Sequence, residues 1–420
     1  MNDRPRVVIV GAGFGGLYAA RALGGAPVGV TLVDRRNHHL FQPLLYQVAT
    51  AALNPADIAA PIRSILRGQR NMNVLLAEAT AVDAPAKRVI LADGELSYDA
   101  LILATGATHS YFGREDWAGL APGLKSIEDA LEIRRRIFLA YEQAERETDL
   151  VRQREWMTFV IVGGGATGVE MAGALAEISR HALASEFDSI DPGQARIVLV
   201  EGLPRLLPAY SDGASARARV QVERLGVEVR TGTRVTDVDA RGVRLGGERV
   251  PARTVVWAAG VQASSLASSL GVPLDRAGRV LVRSDLTIPG RDDVFVVGDL
   301  AALEQDGKPV PGVSPAAIQE GRHAAANVVR RLRGEPLRGF RYRDKGSFAT
   351  IGRGAAVGEL PGGLKLSGFV AWIAWLAIHI FFLIGFRNRV IVILQWAYSY
   401  LTFRRGARLI TGAPPPPLRP

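Results

Sequence analysis

Two segments of this chain impose the same constraint: residues 8–16 read VIVGAGFGG and residues 160–170 read VIVGGGATGVE. In each, a short apolar run suits a buried parallel strand. A G-x-G-x-x-G segment then opens a helix whose first backbone N–H groups have no partner inside the helix and can hold a pyrophosphate. The glycines are Gly11, Gly13, Gly15 and Gly16 in the first copy and Gly163, Gly165 and Gly168 in the second. Gly11 and Gly163 lie 152 residues apart, and each copy is completed downstream by a small-residue turn, Ala104-Thr105-Gly106 and Ala258-Ala259-Gly260. One copy could be nothing more than a tight strand-to-helix turn, whereas two with matched completions read as a duplicated unit. One site is expected to hold a flavin dinucleotide, the other a nicotinamide dinucleotide.

The strands after the glycine helices should end in carboxylates that accept hydrogen bonds from an adenosine ribose. Asp34, with Arg35 beside it, stands 23 residues after Gly11, and Glu201 stands 38 after Gly163. The longer second spacing is absorbed if residues 181–194 extend the helix and add a loop around Asp191-Pro192-Gly193. A carboxylate at Glu201 would bond a free 2′-hydroxyl and repel a 2′-phosphate, which favours NADH over NADPH, with Arg205 as the cation that argues the other way. Residues 74–82 read as a strand whose backbone near Ala79 meets the adenine. Thr105 and Gly106, and Gly260 in the second unit, let backbone approach the dinucleotide. Residues 294–297 read as a strand ending in Gly298-Asp299, whose acid can bond flavin hydroxyls, and a helix from about Pro315 brings Ile318, Gln319 and Glu320 near the same cofactor. The chain thus returns to its first unit. The expected fold is α/β: two Rossmann-like domains in the double arrangement of disulfide reductases, the second inserted in the first, plus a C-terminal membrane-associating helical region. The expected boundaries are 1–115 and 266–335 for FAD, 116–265 for NADH and 336–420 for membrane anchoring.

Other stretches carry weaker readings. Residues 37–52 should cover the flavin, with His38 and His39 as loop residues; no set of ligands at metal spacing is present, so no metal is expected. Residues 126–156 read as one long charged helix capped by Ser126 and Asp129.

The chain contains no cysteine, which removes disulfides, thiolate metal sites and any catalytic dithiol. Its formal charge of +10 is concentrated: residues 331–420 hold 14 Lys and Arg against 3 Asp and Glu, and the body before them is nearly neutral. A basic, apolar tail favours an anionic membrane surface over nucleic acid. Residues 366–386 form an uncharged run long enough for a spanning helix, and residues 390–403 a shorter one before Arg404 and Arg405. Trp372, Trp375, Trp396, Tyr398 and Tyr400 are spread through both runs, which suits a helical pair lying in the interface. Monotopic attachment to the cytoplasmic side of the cell membrane is the expectation; a true span and a buried or homodimer-forming helix pair are the alternatives.

With both glycine motifs, Gly298-Asp299, VGGGATGVEMAGAL and the tail LIGFRNRVIVILQWAYSYLTFRRGARLI in view, the chain resembles the type II NADH:quinone oxidoreductases. The likeness runs from about Arg6 to Thr411. It implies non-covalent FAD at the first motif, NADH as substrate at the second, a membrane quinone as acceptor, no proton pumping and attachment without a span. It also implies a functional glutamate at Glu170. The family's quinone-side Ala-Gln-x-x-x-Gln is matched by Ser314, Pro315 and Gln319, so only the second glutamine is present, and Gln319 is the candidate contact to flavin or quinone. Chemistry points the same way: a nicotinamide gives a hydride, a flavin accepts it and passes electrons on, and without a cysteine thiol to receive them the apolar tail suggests a lipid-soluble acceptor. The rival readings are an NAD(P)H-dependent reductase of a ferredoxin- or rubredoxin-like protein and a flavin-bearing membrane redox sensor.

Overall fold

The computed structural model describes residues 4–402 and 405–412; Phe403 and Arg404, at the end of the second apolar run, lie outside them. Contacts divide the chain into two units. The first comprises the chain up to Leu40 with Ala59–Thr108 and Val261–Lys345, and the second Phe41–Ile58, His109–Gly260 and the described residues from Gly346. Its cuts follow Thr108, Gly260 and Lys345, where the sequence suggested 115, 265 and 335, and two segments are grouped differently. The segment Phe41–Ile58 packs with the second unit, and the region after Gly346 is part of that unit instead of standing apart.

The first unit is built on a five-stranded parallel sheet in the order Val294–Val296, Ala100–Leu103, Arg6–Val10, Gly29–Asp34, Met72–Leu76. Residues 7–10 and Ala100–Leu103 at its centre are continuous apolar, buried runs, as strands of a parallel sheet covered on both faces require. Val294–Val296 joins the sheet only after the whole second sheet has been laid down, which is the insertion the sequence implied. Residues 74–82 are not one strand: Met72–Leu76 ends the parallel sheet, and Ala79–Asp83 starts a separate antiparallel one. The helix Phe14–Ala22 packs on Ser314–Leu332 at glycines, since a methyl group on Gly321 would lie 2.1 Å from the Gly15 carbonyl oxygen.

The second unit repeats the plan with a four-stranded parallel sheet, ordered Val227–Arg230, Arg196–Val200, Thr158–Val162, Thr254–Trp257. The helix Ala166–Glu177 follows its central strand, and the extra spacing before Glu201 is taken up by a π-helical turn at Ile178–Ala182, a loop and a short 3-10 turn at Pro192–Gln194. The long helix expected over 126–156 is two, Ile127–Arg146 and Leu150–Trp156. Ser126 and Asp129 form the foreseen capping box on the first, and Asp149 starts a second helix by accepting the N–H groups of Val151 and Arg152.

The tail is also two helices. Phe369–Phe382 follows Gly368, whose φ of 67° admits no helix before it, and Phe386–Thr402 follows Gly385 at φ 92°. Arg389 closes the break by donating to the carbonyls of Leu383 and Phe381 at 2.7 and 2.8 Å. Among the described residues no helix is long and apolar enough to cross a membrane. The tryptophans do not face outward as an interfacial pair would place them: Trp372, Trp375 and Trp396 are buried, and the exposed side chains include Tyr398 with Phe369, Phe381, Phe386, Leu394 and Leu401.

Candidate active site

The two glycine turns are near copies in atomic detail. The N–H of Gly11 donates to the Val33 carbonyl at 2.8 Å and that of Gly163 to Val200 at 2.7 Å. Ala104 donates to Val10 and Ala258 to Val162, at 2.8 and 2.7 Å. Gly11 and Gly163 have φ of 97° and 111°, and a methyl group on either would meet the backbone of Ala104 or Ala258 within 2.6 Å, so no side chain fits. Gly16 and Gly168 are held by contact: a methyl on each would stand 1.8 Å from the carbonyl oxygen of Gly11 or Gly163. Gly15 serves packing, lying against Val297. Gly13 and Gly165 have open space where a side chain would be, and both cap helices that carry no capping side chain and no acid in the first turn. Each is therefore a bare helix N-terminus with room for an anion.

The acids at the strand ends also match. Asp34 accepts from Ala12 N–H at 2.6 Å and Arg36 N–H at 2.7 Å; Glu201 accepts from Gly164 N–H at 2.6 Å and Leu203 N–H at 2.7 Å. Each carboxylate is thus fixed across its glycine turn. Arg35 is exposed beside Asp34, and Ala79 opens its strand half-buried. Arg205 is committed elsewhere: it donates to the carbonyls of Tyr210 and Pro208 and pairs with Asp212 at 2.7 Å, closing its own loop.

The first unit fits FAD on its own polar groups. Thr105 Oγ1, in the small-residue turn, and His39 Nε2, whose ring is tied to Ala12 beside Gly13, are buried without a hydrogen-bond partner among the described residues. His39 is no loop residue: it lies in the strand His38–Leu40, its Nδ1–H donates to the Ala12 carbonyl at 2.8 Å, and burial lowers its pKa to about 4, so it is neutral. Nothing in the sequence distinguished it from His38. Gly298, at φ 70°, donates its N–H to Glu320 at 2.5 Å, and this buried acid, pushed up to about 7 by desolvation, fixes the turn that carries half-buried Asp299. Gln319 spends its amide on the chain, donating to the Arg343 carbonyl at 2.9 Å and accepting from Arg343 N–H at 3.0 Å.

Glu170 is buried in the second unit. Desolvation raises its pKa to about 8; the Thr350 N–H at 3.3 Å and the Trp375 indole oppose the shift, and neither offsets burial. Trp375 Nε1 is itself buried with no partner in hydrogen-bond geometry. Trp375 stacks on His379 at 4.1 Å between ring centres, and Trp396 donates to Gln47 at 2.7 Å, whose amide donates to Tyr46. Sequence reading placed Glu170 but missed Thr350, Trp375, Gln47 and Tyr46, which come from segments 180 residues or more and more than a hundred residues away along the chain. No group of side chains that could hold a metal occurs among the described residues.

A chain with two such dinucleotide sites, one inserted in the other, belongs to the pyridine nucleotide-disulphide oxidoreductases, whose family model matches residues 5–321, and a model of the NDH2 C-terminal domain matches residues 345–405. Within that class the chain belongs to the type II NADH:quinone oxidoreductase family. It is 45% identical to the type II NADH:quinone oxidoreductase Ndh of Mycobacterium tuberculosis, covering 97% of this chain and 90% of that protein. To the type II NADH:quinone oxidoreductase of Staphylococcus aureus it is 31% identical, over 86% of this chain and 91% of that one. Its fold is similar to NDH2 of Plasmodium falciparum solved with NADH, at TM-score 0.88, 20% identity and coverage of 96% and 99%. It is also similar to the sulfide:quinone oxidoreductase of Aquifex aeolicus, at TM-score 0.74, 20% identity and coverage of 92% and 91%.

Proposed function

We infer that this protein oxidises NADH and reduces a quinone through FAD, without pumping protons. The observation that carries the reading is the pair of matched, uncapped glycine turns in a chain that belongs to the type II NADH:quinone oxidoreductases and has no cysteine. Bound flavin supplies the ability to take a hydride and release two electrons.

The residues do the rest. In the first unit Gly13, Asp34, Thr105, Gly106 and Asp299 hold the cofactor, with Arg35 and Ala79 at its adenosine end. In the second, Gly165 and the helix it opens receive the NADH pyrophosphate, and Glu201 bonds the adenosine ribose. Arg205, tied into its own loop, offers no cation to a 2′-phosphate, which favours NADH. Net turnover converts NADH, one proton and quinone into NAD⁺ and quinol. The hydride carries two electrons and one proton, so one further proton must be supplied. Glu170, held protonated at neutral pH by burial, is our candidate donor of that proton, and the raised pKa is what supports this reading. Gln319, by holding the Arg343 backbone, acts as a positioning residue for the segment around Arg343.

The exposed apolar side chains of the tail helices, with arginines around them, suit attachment to one face of an anionic bilayer, on the cytoplasmic side; a homodimer is the alternative use of that face. The test of function is anaerobic mixing of the purified flavoprotein with NADH, then with a lipophilic quinone. Flavin absorbance should bleach with NADH, bleach much more slowly with NADPH, and return with quinone. A colourless protein, or a bleached flavin indifferent to quinones, ends the reading.

A further inference from the structure

The two turns that complete the nucleotide sites differ in one respect. Around Gly106, at φ 66°, the space a side chain would fill is open. Around Gly260, at φ 77°, it is filled by the ring of Phe112: a methyl group on Gly260 would lie 2.6 Å from Cζ and 3.1 and 3.2 Å from the two Cε atoms. Phe112 is nonetheless 71% exposed, so this contact buries little of it.

Its backbone is unusual as well. The Arg114 N–H donates to the Tyr111 carbonyl at 3.0 Å, closing a turn whose central residues Phe112 and Gly113 have φ of 54° and 86°. Positive φ at both positions is the mark of a type I′ turn, where Asn-Gly or Gly-Gly is usual and an aromatic residue is strained. The residues around it are anchored: Tyr111 is buried and donates to the Ala121 carbonyl at 2.9 Å, and Trp257 Nε1 donates to the Ser110 carbonyl at 2.9 Å. Phe112 alone stands on a rigid turn, with Gly113 beside it as a pivot. Apart from a tilted contact with Trp257 at 6.3 Å between ring centres, the ring is left to solvent on a strained backbone, and such outliers mark ligand clamps and switches.

We propose that Phe112 is a gate on the NADH site, its ring covering the Gly260 turn when nucleotide is absent and swinging away to admit it. The proposal rests on the second unit being the NADH site. The contrast with Gly106 has a functional reason. The first unit keeps its cofactor and needs no cover, while the second must take in NADH and expel NAD⁺ at every turnover. A ring that competes with the nucleotide for one glycine face raises the apparent dissociation constant by the inverse of the fraction of time the gate stands open, and so keeps NAD⁺ from rebinding tightly after turnover.

The experiment uses the full-length, FAD-loaded protein. NAD⁺ affinity is measured by calorimetry and the NADH concentration dependence of flavin bleaching by anaerobic stopped flow, for wild type, Phe112→Ala, Phe112→Gly and Phe112→Tyr. Removing the ring should tighten NAD⁺ binding and lower the half-saturating NADH concentration by about three- to tenfold if the gate is closed most of the time. Phe112→Gly should do the same while raising the melting temperature, since glycine relieves the strained φ. Phe112→Tyr should behave as wild type. Unchanged or weaker nucleotide binding in Phe112→Ala and Phe112→Gly overturns the gate. If wild-type flavin does not bleach with NADH and NAD⁺ does not bind, the NADH assignment itself fails and the gate falls with it.

Discussion

At the residue scale the informative group is Glu170. A carboxyl whose pKa is raised from 4.5 to about 8 by burial is neutral through the physiological range, which is what a proton donor to a reduced acceptor requires. The sign follows from linkage. The folded state holds a proton that the unfolded chain releases above about pH 4.5, so this group's contribution to stability is full below that pH and falls until the folded pKa is passed. Turnover should therefore fall above about pH 8, where Glu170 loses its proton. Glu170→Gln should retain FAD, lower quinone-dependent kcat by about 10²- to 10⁴-fold, and remove that alkaline limb. It should also melt a few degrees higher than wild type at pH 8.5, because a neutral amide replaces a buried acid that must ionise or resist ionising there. A variant with wild-type kcat and pH profile would remove Glu170 from the mechanism. The environment that sets this pKa was not legible in the sequence: Thr350 and Trp375 are brought to Glu170 by folding alone.

At the scale of elements, the two glycine helices predict separable defects. A methyl on Gly16 or on Gly168 meets a carbonyl oxygen at 1.8 Å, and neither turn can yield without losing its strand hydrogen bonds. Gly16→Ala should purify with little or no flavin. Gly168→Ala should remain yellow but bleach with NADH at least tenfold more slowly, as followed by absorbance and flavin content. Equal flavin loss in both would contradict the assignment of the sites. These elements were legible because a short apolar strand, a glycine that must take positive φ and a helix without a capping side chain are local requirements, written in consecutive residues. Breaks in helices were less legible. The stop at Glu147 depends on Asp149 starting a new helix, and the stop at Leu383 on an arginine six residues further on.

For the whole molecule, the tail is the point at which composition and packing diverge. Its charge and apolarity suit a membrane surface, but Trp372, Trp375 and Trp396 are turned inward, and Arg405 is buried against Glu177 at 3.1 Å and the Thr50 carbonyl at 2.8 Å. Deleting the tail would therefore unmake the second unit, so attachment must be tested on its outer face. The triple variant Phe386→Glu, Leu394→Glu, Leu401→Glu changes only exposed side chains, two of them 83% accessible. It should lose co-sedimentation with vesicles containing anionic lipid and keep NADH oxidation with a water-soluble quinone. Undiminished vesicle binding would show that this face is not the one that meets lipid. The sequence by itself determined the duplicated nucleotide fold and the family's NADH-to-quinone direction of electron flow, because strand, turn and helix signals are short-range and cysteine is absent throughout. Only the tertiary structure decided what surrounds Glu170, that His39 is buried against Ala12, that Gln319 spends its amide on the Arg343 backbone, and that Phe112 covers Gly260. Burial, and contacts between segments far apart in the chain, are properties of the assembled core that no single stretch encodes.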